Sequence, residues 1–391
     1  MFECHHNKYL TTVLLLIGLF LFACKSDHNP KNVIRIDEAY SYNLTMSDLF
    51  ESIEYIPLET SVDFLIGNNP TVHVCEKFIV TFSAGNCLVF DRQTGKFIRK
   101  IGNRGRGAEE YSQIPFGSIV NEQEKAIVLG QGNRLIEYSL VDGSVKSQTV
   151  RIPQIMMNPV TYISKNVWAL AILNISGSEP NQLLFFNSEE LIDSVPNYYL
   201  FTPKTREVWI NPLEILMYKH SNYVYFKHLF NDTVFRVVDN QLESKWVFET
   251  IDSPQILYQL RDRPSVLSSE IENYHLVYSI LETIDFIFFT TKFQKRSYYF
   301  LYDKNLCKLI RLKNEGFANN IDGGLDFWPV FTNEKQDLIA VYHADILKEI
   351  TEDIVDIYNI TDIQAHNKLM FFIENLGWED NPVVVIAKLK Q

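Results

Sequence analysis

Positive charge is scarce in this sequence. Thirty-six Lys and Arg stand against 48 Asp and Glu, a net charge of −12, and the cations are scattered along the chain. That excludes a nucleic-acid surface, where affinity rests on clustered cationic contacts to phosphate. Cysteine is scarce too, at five residues in 391. A Cys75–Cys87 disulfide would have to span the strand expected at 78–82. That is a separation on the order of 15 Å against the ~7 Å Cα limit for a bridge. Free, mostly buried thiols are therefore expected at Cys75, Cys87 and Cys307. The nine histidines show no metal-ligand spacing and, beyond residue 23, no Cys/His cluster, and no G-x-S-x-G motif is present. No metal or cofactor is implied, and nothing commits the chain to catalysis.

Long apolar runs are lacking as well, with one exception. Val13 to Ala23 reads V-L-L-L-I-G-L-F-L-F-A, too short for a comfortable membrane span of roughly 20 residues and suited to a secretory core. It runs into Leu21-Phe22-Ala23-Cys24, which resembles a bacterial lipobox. The resemblance implies a signal peptide over 1–23, cleavage before Cys24 and lipidation of its thiol. Residues 24–32 follow as a polar tether, K-S-D-H-N-P-K-N after the cysteine. Acyl chains anchor through about 0.8 kcal/mol per buried methylene. The expected address is therefore a lipid anchor at Cys24 in a bacterial outer membrane, on the periplasmic or cell-surface side. Removing 1–23 takes away Glu3 and Lys8 together, so the mature chain keeps its net charge.

From residue 33 to 391 the sequence is rich enough to fold as one domain. A 46% hydrophobic share with 13% aromatics excludes disorder beyond the tether. The dominant signal is short strands, dense in Tyr, Phe, Val and Ile. They fall into groups of four: 71–74, 78–82, 87–91 and 96–101; 117–121, 125–129, 135–140 and 144–151; 160–164, 167–173, 182–187 and a blurred edge near Leu191; 214–219, 223–228, 233–238 and 244–249; 276–280, 286–290, 297–302 and 308–312. Such a rhythm marks radial β repetition, and a pair of stacked sheets would not produce it. The expected fold is an all-β propeller.

Two helices interrupt this rhythm near the C-terminus. Ile346, Leu347, Ile350, Ile354 and Ile357 share one face of a helix over 344–358. Leu369, Phe372, Ile373 and Leu376 do so over 367–376, with Gly377 as its stop. The following V-V-V-I-A-K-L is too apolar for an open edge. It is expected to pair into the first blade and close the ring.

Residues Gly95 to Tyr138 resemble an NHL-type propeller repeat: G-K-F-I-R-K-I-G-N-R-G-R-G, then V-L-G-Q-G-N-R-L-I-E-Y. A broader likeness is to six-bladed β-propeller lipoproteins of Bacteroides-type bacteria. It is carried by Cys24, I-E-Y-I-P-L-E-T at 53–60, N-D-T-V-F-R-V at 231–237, I-D-G-G-L-D-F-W-P at 321–329 and the closing N-P-V-V-V-I-A-K-L-K. The glycine-rich loop departs from that pattern, with Ala108 where proline is more frequent. What the resemblance implies is a fold and an address.

Two loops carry candidate ligand contacts. Gly102, Gly105 and Gly107 are spaced G-x-x-G-x-G, unlike a phosphate-binding loop, and no helix follows to lend its N-terminus. An inter-blade crossing accounts for the glycines. Arg104, Arg106 and Tyr111 remain available to a ligand, with Glu109 and Glu110 as competing partners for the arginines. Asp322, Asp326 and Trp328 are suited to a sugar ring, though the alternating oxygen ligands of a calcium loop are absent. Two functions follow. One is a non-catalytic binding or scaffold module, expected as a monomer, for a glycan, peptide or protein partner. The alternative is a polysaccharide hydrolase or lyase with carboxylates at the central channel mouth. That reading needs a carboxyl pair about 5–10 Å apart across a cleft.

Overall fold

Runs such as Ile287-Phe288-Phe289 and Val383-Val384-Val385-Ile386 are buried residue after residue, because sheets pack against both faces of these strands. The computed structural model describes residues 32–68, 70–117, 119–149, 151–152, 158–350 and 359–390. Ile34–Gln391 form one unit of six sheets, a six-bladed propeller whose four-stranded blades are each antiparallel.

Blade 1 comprises Thr71–Val74, Phe78–Ser83, Asn86–Asp91 and Phe97–Lys100. Blade 2 comprises Val120–Asn121, Ala126–Gln131, Arg134–Ser139 and Val145–Gln148. Blade 3 holds Val160–Ser164, Val167–Ala171, Asn181–Phe186 and Leu191–Pro196. Blade 4 holds Ile215–His220, Tyr223–His228, Thr233–Val238 and Gln241–Glu249. Blade 5 holds Leu276–Glu282, Phe286–Phe293, Arg296–Asp303 and Lys308–Leu312. First strands of neighbouring blades touch between blades 3 and 4, 4 and 5, 5 and 6, and 6 and 1. The first strand of each blade therefore lines the axis. Alternation of side chains sorts each blade's residues between two cores. Val80, Phe82 and Val89 of blade 1 pack toward blade 2, while Ile79, Leu88 and Phe90 pack toward blade 6.

Ring closure differs from expectation. Val383–Leu389 does not enter the first blade. It is the third strand of blade 6, between Leu338–Tyr342 and the N-terminal strand Phe50–Pro57, with Phe331–Thr332 innermost. The apolar strand is covered on both edges, and the N-terminus supplies the outer strand. Gly95 shows how tightly the seam fits. It turns at φ +68°, and a Cβ there would overlap the carbonyl of Pro57. Upstream, Val33–Arg35 adds a fifth strand to blade 4, and Tyr40–Tyr42 pairs in parallel with the outer strand of blade 5. The N-terminal segment thus runs as a belt over the outer edges of blades 4, 5 and 6. Arg35 is fastened to Glu249 at 2.9 Å.

The two C-terminal helices lie between the second and third strands of blade 6, before the ring-closing strand. Ala344–Lys348 is the described part of the first, and residues 351–358 lie outside the described residues. The second, Ile363–Asn375, starts four residues earlier than its apolar pattern, because Asp362 caps it through the Ala365 amide. Leu347, Leu369, Ile373 and Leu376 join the core of blades 5 and 6. An insertion between blades 4 and 5 adds a 3-10 segment, Pro254–Leu260, and a short helix, Pro264–Glu270. No helix among the described residues is long and apolar enough to cross a membrane. Cys75 and Cys87 are free and buried, as their spacing requires; Cys307 is free and exposed.

Candidate functional site: the axial cavity

The six first strands end at a cavity of about 600 Å³, whose wall takes residues from every blade. His73 and Cys75 come from blade 1, Glu122 and Glu124 from blade 2, Tyr162 and Lys165 from blade 3. Lys219, His220 and Ser221 come from blade 4, Glu282 from blade 5, and Thr332, Asn333 and Glu334 from blade 6. Each lies near the C-terminal end of a first strand or in the hairpin after it. In-register blades converge these positions on the axis.

Glu282 anchors the wall between blades 4 and 5. Its side chain is 1% exposed. Lys304 Nζ donates to its Oε1 at 2.7 Å, Tyr218 Oη to its Oε2 at 2.9 Å, and Trp246 Nε1 to its Oε1 at 3.2 Å. A buried charge held by a cation and two further donors meets the condition for tolerating burial. Burial lowers the Lys304 ammonium, with Glu282 opposing the shift. Burial, and then Glu282, raises the Tyr218 hydroxyl well above its usual range.

On the blade 2 side, burial raises the Glu122 carboxyl, and Glu334 and Glu76 add to the shift. Glu122 accepts the Glu76 amide. Lys219 is lowered by burial, with Glu334 opposing it. Ser221 Oγ lies 3.0 Å from His220 Nε2, and Glu282 Oε1 lies 4.0 Å from that same nitrogen. A Ser–His–acid relay needs the hydroxyl and the carboxylate on opposite ring nitrogens, so these three do not form one. Among the described residues no group of three or more His, Cys, Asp or Glu is placed to hold a metal ion.

His73 also lines a second cavity, of about 420 Å³, beneath the loops that cross from blade to blade. There it packs edge-on to Phe82 and Phe331, and burial lowers its imidazole to about 4. Arg104 lines this second cavity. Its guanidinium sits where a side chain on Gly85 would otherwise be. Arg106 is exposed on the same loop and lines neither cavity. Tyr111 is fully buried, and its hydroxyl donates to the Gly85 carbonyl at 3.0 Å. Glu110 folds back over Gly105 and Gly107 and accepts the Gly107 amide at 2.7 Å. The arginines therefore make no ion pair with it. The glycine-rich stretch does cross from blade 1 to blade 2.

Asp322, Asp326 and Trp328 lie elsewhere, on the connection between blades 5 and 6. Asp322 is 1% exposed, and its Oδ1 accepts Asn319 Nδ2 at 2.7 Å, the Gly324 amide at 3.0 Å and Tyr55 Oη at 3.2 Å. Burial raises its carboxyl. Trp328 packs on Phe317, Phe288 and Tyr299. Asp326 is exposed. None of the three lines the axial cavity. Cys24 lies outside the described residues.

Sequence reading missed the axial residues. Glu122, Lys165, Lys219 and Glu334 carry no local motif; their signal is position, in the first hairpin of each four-strand unit.

A family model described as a domain of unknown function, DUF4934, matches residues 31–388. The chain belongs to this family. No curated protein matches it. Among solved structures, a Bacteroides fragilis protein inferred to be exported is similar at 17% identity and a TM-score of 0.69. That likeness covers 92% of this chain and 99% of the other. A DUF4221 member from Bacteroides vulgatus is similar at 9% identity and a TM-score of 0.49, over 88% and 97% of the two chains. At such identities the first likeness supports the propeller fold of this DUF4934 chain.

Proposed function

We propose that this DUF4934 chain is an exported, lipid-anchored binding module of the bacterial outer membrane. In this reading it is a monomer that presents the axial cavity to a glycan, peptide or protein partner without turning it over. The observation that carries the reading is convergence: all six blades place polar or charged groups around one concavity of about 600 Å³. That lies within the 300–1,000 Å³ usual for ligand sites. The lipobox-like Leu21–Cys24 and the NHL-like repeat at 95–138 support the address and the architecture.

The fragment from Asn32 onward contains every blade strand and suits a glycan and peptide binding screen. Saturable binding that Lys219→Glu abolishes supports the reading. Turnover of any bound compound would replace it with the hydrolase or lyase alternative. For the anchor, Cys24→Ala should abolish incorporation of a labelled fatty acid and release the chain from the membrane fraction. Retention of label in that variant sinks the lipoprotein assignment.

A further inference from the structure

The charges around the axial cavity are sorted by sign. Blades 6, 1 and 2 are consecutive around the ring, and their mouth carries Glu334, Glu76, Glu122 and Glu124. Blades 3 and 4 face them with Lys165 and Lys219. Blade 5 contributes Glu282, whose charge is matched by Lys304 at 2.7 Å. On the acidic side the exposed Lys335 pairs with Glu76 at 3.2 Å, and the Lys146 ammonium is engaged by Glu137 and the Glu124 carbonyl. Neither Lys165 nor Lys219 has an ion-pair or hydrogen-bond partner for its ammonium among the described residues, and neither has the Glu334 carboxylate.

Opposite charges left apart in this way call for an explanation. Lys219 and Glu334 sense each other electrostatically yet form no salt bridge. Burial has already cost both Lys219 and Glu122 part of their hydration. Closing these charges on one another would recover some of that cost. The propeller frame holds them apart on separate blades instead. A second observation lies in the same wall: the His220 side chain is 7% exposed, and its Nδ1 has no hydrogen-bond partner among the described residues.

We infer that the axial cavity of this chain binds a small zwitterion, a short peptide with both termini free. Its ammonium faces Glu122, Glu124 and Glu334, and its carboxylate faces Lys165 and Lys219. This rests on the reading of the chain as a binding module and names the ligand class of that site. Size agrees. A cavity of 600 Å³, if roughly spherical, is on the order of 10 Å across, and an extended chain spans about 3.3–3.6 Å per residue, so two or three residues fit. A longer peptide would place one terminus outside the charged walls. The polar Ser221, Asn333 and Thr332 between the two arcs suit the backbone amides of such a ligand.

The test is calorimetric titration of the full-length chain in detergent with trialanine, N-acetyl-trialanine and trialanine amide. Trialanine is expected to bind, and each single block to weaken it at least about tenfold, the worth of one charge-assisted contact. Lys219→Glu should abolish trialanine binding, with its thermal unfolding midpoint as the check on folding. Should that variant fail to fold, Lys165→Glu takes its place. Equal affinity for free and blocked peptides overturns the inference. Glycan binding at the cavity without peptide binding overturns it too, and leaves the binding-module reading in place. Binding of neither class overturns the inference and leaves the binding-module reading with a protein partner alone.

Discussion

Two buried carboxylates, one at the axial mouth and one between blades 5 and 6, solve the same problem differently. Glu282 keeps a cation at 2.7 Å and takes two further donors. Among the described residues no cation pairs with Asp322; an amide, a backbone N–H and a phenol satisfy one of its oxygens. Charge compensation lets Glu282 stand as an ion in the wall of a cavity. Asp322 instead ties the blade 5–6 connection to Tyr55 of the N-terminal strand, and its carbonyl does the same for His366 of the last helix at 2.8 Å. The difference separates a charge that organises a ligand-facing wall from one that staples a loop.

The sharpest way to break the comparison is to remove both acids. Glu282→Leu leaves Lys304 buried beside unpaired donors from Tyr218 and Trp246, and should cost about 3–5 kcal/mol. Asp322→Ala leaves only neutral donors unpaired and should cost about 1–3 kcal/mol. Urea unfolding of both variants measures the gap; equal costs would erase the distinction.

Acid reaches the axial side through a residue that lines both cavities. His73 is buried among Phe82 and Phe331, with its imidazole lowered to about 4 by burial. Its folded value lies below the unfolded one, so the unfolded chain binds the proton first. The stability it supports is whole above about pH 6.5. It declines by about 1.4 kcal/mol per pH unit as pH falls toward 4. Asp322 and Glu122, both raised by burial, contribute with the opposite sign in part of that window. The measurement is therefore the difference between wild type and His73→Phe, in which their terms cancel. An identical pH slope in the two proteins would show that His73 is not the group responsible.

The same contrast explains what could be read from the sequence. Five of the six blades were legible because their strands recur in fours, with turns such as Asp91 to Gly95, where Asp91 Oδ1 accepts the Gln93 and Thr94 amides. Blade 6 was not, because its strands come from 50–57, 331–342 and 383–389, separated by helices and most of the chain. The belt was invisible for another reason: Val33–Arg35 and Tyr40–Tyr42 are three residues each, too short to show a period. The D-G-G-L-D-F-W loop attracted notice because its acids, glycines and tryptophan are adjacent in sequence. Its structure puts the tryptophan among three aromatic rings and one acid in a turn. The axial residues drew no notice because they come one or two to a hairpin from six separate units.

The smallest expected effect on stability belongs to Lys219, and it separates the two kinds of site most cleanly. A residue kept for the fold should cost stability when its charge is removed, as Glu282 and Asp322 should. Lys219 is half-buried, lowered by burial, and has no ion-pair partner among the described residues. Lys219→Met keeps the length and apolar stem of the side chain while removing a desolvated charge. It should leave stability unchanged or raise it by about 0.5–1 kcal/mol. Trialanine affinity should fall at least about tenfold in the same variant. Thermal unfolding and titration on one preparation read both quantities. A destabilised variant with undiminished affinity would return Lys219 to the architecture and leave the cavity without its cationic wall.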